Sequence, residues 1–190
     1  MSLVTPMLDC ETSVTSETTL AWYAVQTRSR HEKLVREQLA KYHIEPFLPS
    51  VARISQWKDR KKKIEFPLFA GYCFARFALA ECRYTVLQLP GVVRLVGLHG
   101  RPEVVPDEEI ESLRLLLTQA MPHSEHSYVQ DGGLVEVIRG PLRGAKGRVI
   151  RHARNCRLVL SISLIQRAVS VEIAESDIVP VQTIPRIALL

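Results

Sequence analysis

Val137-Ile138-Arg139-Gly140-Pro141-Leu142-Arg143-Gly144-Ala145-Lys146-Gly147-Arg148-Val149 is the stretch that decides how the chain folds. A strand carrying Val137 must reverse through Gly140-Pro141, turn again at Gly144 and re-enter a sheet beside Gly147. Glycines at those places permit the backbone angles and the close approach that such a path needs. The stretch is not a nucleotide-phosphate loop, because G-x-x-x-x-G-K-[ST] is absent and Gly147 stands where a Ser or Thr would bind magnesium. Around this double turn the pattern has period two, so residues 134–138, 148–150, 158–164 and 168–173 are expected to be short strands. They are joined by turns at Gly140-Pro141, Arg154-Asn155 and Gln166-Arg167. No helical pattern returns after Tyr128, which predicts a small five-stranded β-barrel over residues 128–182 and a short C-terminal tail over 183–190.

Upstream of the barrel the character of the chain changes. Residues 121–127 hold Pro122 and two histidines without periodicity and are expected to link two domains. His123 and His126 are spaced H-x-x-H, but two ligands with no third His or Cys nearby do not make a zinc site. Before them, Ile110, Leu113, Leu117 and Ala120 continue a helix that opens at Pro106 with acids in its first turn, where the helix dipole favours them. Val92-Val93-Arg94-Leu95-Val96 is an expected strand, and residues 81–89 a short helix stopped by Pro90-Gly91. In the run from Phe66 to Phe77, Tyr72, Phe74 and Arg76 should face one way and Cys73, Ala75 and Phe77 the other. One face can then close a core while the other meets a partner, and Phe69 and Tyr72, beside Pro67 and Gly71, are the residues expected to be exposed. The basic run Lys58-Asp59-Arg60-Lys61-Lys62-Lys63 is read as a loop between this strand and another over residues 51–56. Ser29 with Glu32 three residues later has the form of a capping box. The helix that follows carries Leu34, Val35, Leu39 and Tyr42 as an apolar stripe. Ala21-Trp22-Tyr23-Ala24-Val25-Gln26 is the first strand. The order β-α-β-β-α-β-α over residues 21–120 predicts an α+β sandwich of ferredoxin-like kind.

Composition sets the outer limits. An apolar fraction of 46% in 190 residues supports packed cores in one ordinary domain or two small ones. The net charge is +5, and residues 1–20 hold Asp9, Glu11 and Glu17 with no Lys or Arg, so +8 resides on residues 21–190. That balance favours a polyanionic partner. Residues 1–20, rich in Ser and Thr, are expected to be a disordered tail, and they lack the basic start and apolar run of a signal peptide. Cys10, Cys73, Cys82 and Cys156 form no C-x-x-C pair and read as reduced thiols of a cytoplasmic protein, with Cys73 in the core. No run of 18 apolar residues predicts a membrane span.

The double-glycine turn closely resembles a KOW motif, carried by Val137, Gly140, Pro141, Gly144, Gly147 and Val149. Residues 21–182 as a whole resemble the NusG family of transcription elongation factors. The supporting residues are Trp22-Tyr23-Ala24-Val25-Gln26, then Phe69-Ala70-Gly71-Tyr72 where the family has F-P-G-Y, then the KOW turn, then Ser163-Leu164-Ile165-Gln166-Arg167-Ala168 followed by Val171-Glu172-Ile173. Their shared order across two domains makes the resemblance specific. It implies an N-terminal NusG domain followed by an SH3-like KOW barrel, in a protein that is no enzyme and needs no cofactor. The N-terminal domain would dock on the clamp helices of the largest subunit of RNA polymerase, β′, through Gln26, Arg28, Phe69, Gly71 and Tyr72. Lys58, Arg60, Lys61, Lys62 and Lys63 would lie near upstream non-template DNA or nascent RNA. In the family the barrel loop S-I-F-G-R contacts Rho or a small-subunit ribosomal protein. Here Leu164, Ile165 and Arg167 occupy that loop and both its aromatic residue and its glycine are replaced. The change points away from Rho or ribosome coupling and toward a specialised paralogue of RfaH or LoaP type.

Two rival readings come from other classes. An enzyme is disfavoured because no G-x-S-x-G, H-E-x-x-H or Cys-His constellation occurs. A ribosome-associated or RNA-binding KOW protein is the stronger rival, since Arg143, Lys146, Arg148, Arg151, Arg154 and Arg157 make the barrel basic. The N-terminal domain argues against it. Nothing in the sequence demands more than a monomer.

Overall fold

The structure, a computed structural model, describes residues 19–57, 60–119, 121–127, 132–152 and 155–181, with backbone alone at 53–57, 60–63, 123, 125–127, 151–152 and 155. The first part of the chain forms β1 (Leu20–Thr27), α1 (Glu32–Lys41), β2 (Glu45–Phe47), β3 (Ser50–Trp57), β4 (Arg60–Pro67), β5 (Tyr72–Ala78), α2 (Leu79–Leu87) and β6 (Val92–Leu95). A small hairpin of β7 (Gly97–Leu98) and β8 (Arg101–Pro102), then β9 (Val104–Val105) and α3 (Asp107–Thr118), complete it. The rest is β10 (His123–Ser127), β11 (Gly133–Val137), β12 (Lys146–His152), β13 (Asn155–Ile162), β14 (Arg167–Ile173) and β15 (Ile178–Pro180).

The first sheet has the order β2-β5-β1-β6, all antiparallel, with β9 continuing along β1 where β6 leaves off. Alternation along β1 and β5 sends side chains to two separate cores. Tyr23, Val25, Cys73, Ala75 and Phe77 meet Val35 and Leu39 of α1 and Val86 of α2 on one face. Trp22, Ala24 and Phe74 meet Ile110, Leu113 and Leu116 of α3 on the other. This is the expected ferredoxin-like α/β sandwich.

The second sheet curls into the small SH3-like barrel in the order β10-β14-β13-β12-β11-β15. It does not stand apart from the sandwich. Val135, Val137, Leu142, Leu158, Leu160, Ile162, Val169 and Val171 join one continuous apolar cluster with Trp22, Phe69, Phe74 and the buried residues of α3. The helix packs against β12 and β13. Polar bonds frame the contact: the Lys146 backbone N–H donates to Ser112 Oγ at 2.9 Å, and Lys146 Nζ lies 3.1 Å from Glu108 Oε1. Ser163 donates from its N–H to Glu109 Oε2 at 3.0 Å and from its hydroxyl to Glu109 Oε1 at 2.6 Å.

Several expectations are corrected. Residues 121–127 are not structureless, since His123–Ser127 pairs with Arg167–Val171 as a sixth strand. An edge strand needs backbone partners more than apolar side chains, so its polar sequence hid it. The basic run is not a loop over its whole length, because Arg60–Lys63 continue β4, opposite Trp57, Gln56, Ser55 and Ile54 of β3. Glu45–Phe47 is an additional edge strand despite Pro46, which edges tolerate. The capping box does not form. His31 occupies the N-cap of α1 without a side-chain cap, and the Glu32 carboxylate turns instead to Gly71. On that helix Val35 and Leu39 are buried while Leu34 and Tyr42 are exposed, so the apolar stripe is narrower than the sequence implied. A core packs on each face of β5, leaving only Tyr72 at its start and Arg76 half-buried. Residues 1–18, Lys58, Ala120, Arg154 and the tail at 183–190 lie outside the described residues.

Candidate partner-binding site

The site is built around Gly71, whose φ of +83° lies in the region that glycine alone enters freely. Its N–H donates to Glu32 Oε1 at 2.8 Å, and its carbonyl accepts the Thr27 N–H at 2.8 Å. The turn closes with Tyr72 N–H donating to the Phe69 carbonyl at 3.2 Å. These bonds fix where β5 starts. In register, Tyr72 lies opposite Gln26 and Gln26 opposite Arg94, so three strands place Tyr72, Gln26 and Arg94 in one row. Arg94 Nε donates to Gln26 Oε1 at 2.7 Å. Gln26 and Tyr72 are half-buried, and Arg94 and Arg28 are exposed. Arg28 leaves the end of β1 with its N–H bonded to the Gly91 carbonyl at 2.8 Å.

Phe69 does not behave as expected. Only 2% of its surface is exposed, against an expectation of exposure. Its ring meets Phe74 edge-on, with centroids 6.5 Å apart, inside the apolar cluster that sandwich and barrel share. An aromatic beside a glycine turn reads as exposed only while the apolar cluster it enters is left out of account.

The turn of the barrel follows the sequence closely. Gly140 and Gly144 adopt φ of +79° and +91°, and a Cβ on Gly147 would lie 2.6 Å from the Val159 carbonyl oxygen. Val137 N–H bonds the Ala145 carbonyl at 2.9 Å, and Gly144 N–H bonds that of Val137 at 2.8 Å. Pro141 is exposed, Val149 is half-buried and Leu142 plugs the core. In the loop at Ser163–Ile165, Ile165 is buried and Leu164 half-buried within the shared cluster, while Arg167 is exposed.

Among the remaining expected contacts, Lys58 lies outside the described residues. Arg60, Lys61, Lys62 and Lys63 are described by backbone alone. The basic barrel face is partly engaged within the molecule: Lys146 bonds Glu108, Arg148 bonds the Gly132 carbonyl at 2.9 Å, and Arg157 lies 3.5 Å from Glu172. Among the described residues no three His, Cys, Asp or Glu side chains gather to hold a metal, and no helix is long and apolar enough to cross a membrane.

Sequence reasoning missed Arg94, Glu32, Glu109 and Ser112. Arg94 interrupts an otherwise apolar strand, and that was its one signal. The acids of α3 have an ordinary explanation in the helix dipole, which concealed their second role.

A family model described as transcription termination factor nusG matches residues 20–114, from β1 through most of α3. A protein of Streptococcus pyogenes named transcription termination/antitermination protein NusG is 26% identical over 147 residues, covering 70% of this chain and 82% of its own length. The protein of the same name from Helicobacter pylori is 27% identical over 169 residues, covering 83% and 96%. A solved structure concerned with domain interaction in Thermotoga maritima NusG is similar at 23% identity and a TM-score of 0.49, covering 86% of this chain and 98% of that one. Matched across half its length by the family model, and over more by these relatives, the chain belongs to the NusG family of transcription termination and antitermination factors.

Proposed function

We propose that the chain is a transcription elongation and antitermination factor that docks on the clamp helices of the polymerase β′ subunit and suppresses pausing or termination. The observation that carries this reading is the row Tyr72–Gln26–Arg94 at the open end of the sandwich, beside Phe69 and Arg28, within the segment that defines the family. The basic β3–β4 hairpin, with Lys58 and Arg60 to Lys63, supplies phosphate contacts to upstream non-template DNA, which are salt-dependent and largely blind to sequence. Residues 21–120 act as the polymerase-binding domain and residues 128–182 as the KOW domain. The replaced loop at Leu164 and Ile165 favours an operon-specific paralogue over a factor coupled to Rho or the ribosome.

No catalysis is needed. A factor that binds one state of the clamp more tightly shifts the equilibrium toward it, and a preference of about 1.4 kcal/mol changes the ratio of states tenfold. Because Phe69 is closed within the cluster to which sandwich and barrel both contribute, its use requires that cluster to open around it. Each tenfold excess of the closed form weakens apparent affinity about tenfold.

The test is elongation in vitro with purified polymerase on a template carrying a pause and a terminator. Added protein shortens the pause or raises readthrough. Unchanged pausing and readthrough on templates of varied sequence, with RNA retained by the protein alone, would replace this reading with that of an RNA-binding module.

A further inference from the structure

We propose that Arg94, held in place by Gln26, is a carboxylate-reading contact: its guanidinium receives an acidic side chain of the protein that docks over Tyr72. The inference rests on the polymerase-docking reading above and names the chemistry that one point of that interface must present.

A guanidinium carries five N–H donors in a fixed plane, and its paired outer nitrogens match the two oxygens of a carboxylate. Here Nε is committed to the amide oxygen of Gln26 at 2.7 Å. That bond fixes the plane and leaves the four outer N–H donors of Nη1 and Nη2. Gln26 is neutral, so the positive charge remains whole. Among the described residues Arg94 has no acidic partner. Glu32, the acid that structures this end of the sheet, is buried and accepts the Gly71 N–H. Arg28 and Arg30, on the loop that leaves β1, are exposed and add charge of the same sign.

Position then selects the partner. Trp22 and Ala24 of β1 belong to the core on the α3 side, as does Phe74 of β5, so Gln26 and Tyr72 two residues away face that side too. Leu95 belongs to the opposite core, which puts Arg94 on the α3 side beside Gln26. Tyr72 packs partly against the shared cluster and Gln26 is half-buried, while Arg94 is exposed, so this end of the face is accessible where Phe69 is shut. A protein surface laid over Tyr72 excludes water from its neighbour, and under that cover a bidentate ion pair is strong while an unpaired arginine is costly. Phosphates of a nucleic-acid backbone stay largely solvated and need no aromatic neighbour. Charge and setting together therefore favour a carboxylate on a protein.

The experiment is a titration of core RNA polymerase, free of nucleic acid, with the full chain and with Arg94→Gln, Arg94→Lys and Gln26→Leu. Thermal melts confirm that each variant folds, as expected for exposed or half-buried positions. Wild type should bind, Arg94→Gln should raise Kd at least tenfold, Arg94→Lys should restore only part of the loss, and Gln26→Leu should fall between. If wild type binds and Arg94→Gln binds equally well, the inference is overturned while the docking reading stands. If wild type does not bind at all, both fall. If Arg94→Gln leaves polymerase binding intact but weakens binding to free DNA with a shallower salt dependence, the contact is to phosphate and the carboxylate assignment is wrong.

Discussion

Gln166 holds φ +52° and ψ 44°, a left-handed conformation that costs a residue with a Cβ about 1–2 kcal/mol. It caps the short helical turn Ser163–Ile165 before β14 begins, and its exposed side chain gains little there. Gln166→Gly should therefore stabilise the protein by about 0.5–1 kcal/mol, a few degrees in Tm, despite the greater freedom of glycine in the unfolded chain. An equal or lower melting temperature would show that the turn carries no strain. Cys73 illustrates the opposite case, a residue whose role was plain from the sequence. Burial pushes its thiol up to about 12, so it is an inert core residue as its place on the alternating strand implied. Glycines were equally legible, because Gly140, Gly144 and Gly147 each answer a constraint that acts within a few residues or across one strand pair. Phe69 was not, since its burial depends on groups far away in sequence.

Helix α3 is the element that joins the molecule. Ile110, Leu113 and Leu116 enter the shared core, Glu108, Glu109 and Ser112 bond the barrel, and Arg114 reaches the first sheet. The Arg114 guanidinium lies 4.9 Å from the centroid of Trp22 and 5.2 Å from that of Phe47. It also pairs with Glu45 at 2.7 Å and Glu111 at 3.2 Å. These pairs are partly exposed and contribute only a fraction of a kcal/mol each, with stacking adding about 0.5–1 kcal/mol. Arg114→Ala should cost about 1–2 kcal/mol in chemical denaturation, and Arg114→Lys should recover less than half, because an ammonium cannot stack as a plane. Full recovery by lysine would mean that charge alone matters. Helices and central strands were readable because their periodicity is set by what they bury. Edge strands β2 and β10 were not, since backbone pairing rather than an apolar pattern holds them.

At the scale of the whole molecule, the central event is the contact between sandwich and barrel. Glu109 lies within it, and burial raises its carboxyl above the ordinary carboxylate range. The bonds from Ser163 oppose that shift and the neighbouring Glu108 charge adds to it. A raised value in the docked form means that docking binds a proton. This group's contribution to docking is full below the ordinary carboxylate range and is lost as pH rises through the raised value. Amide exchange of α3 should therefore slow as pH falls through that window, after correction for the intrinsic rate. Glu109→Gln, which removes the charge and keeps one acceptor oxygen for the Ser163 N–H, should flatten the dependence, and a dependence unchanged in Glu109→Gln would assign it to another group. That the two units share a core was not legible in the sequence. Each has a complete pattern of its own, and the residues that join them pass as ordinary members of a helix and a barrel.

The most direct measurement of the account is retention of core RNA polymerase by the immobilised full chain and by Tyr72→Ala, compared at moderate salt with matched melting curves. Wild type should retain polymerase, and Tyr72→Ala, which removes the half-buried aromatic at one end of the row beside Gln26, should retain at least tenfold less. Equal retention by both would contradict the proposed site, and no retention by wild type would contradict docking on polymerase altogether.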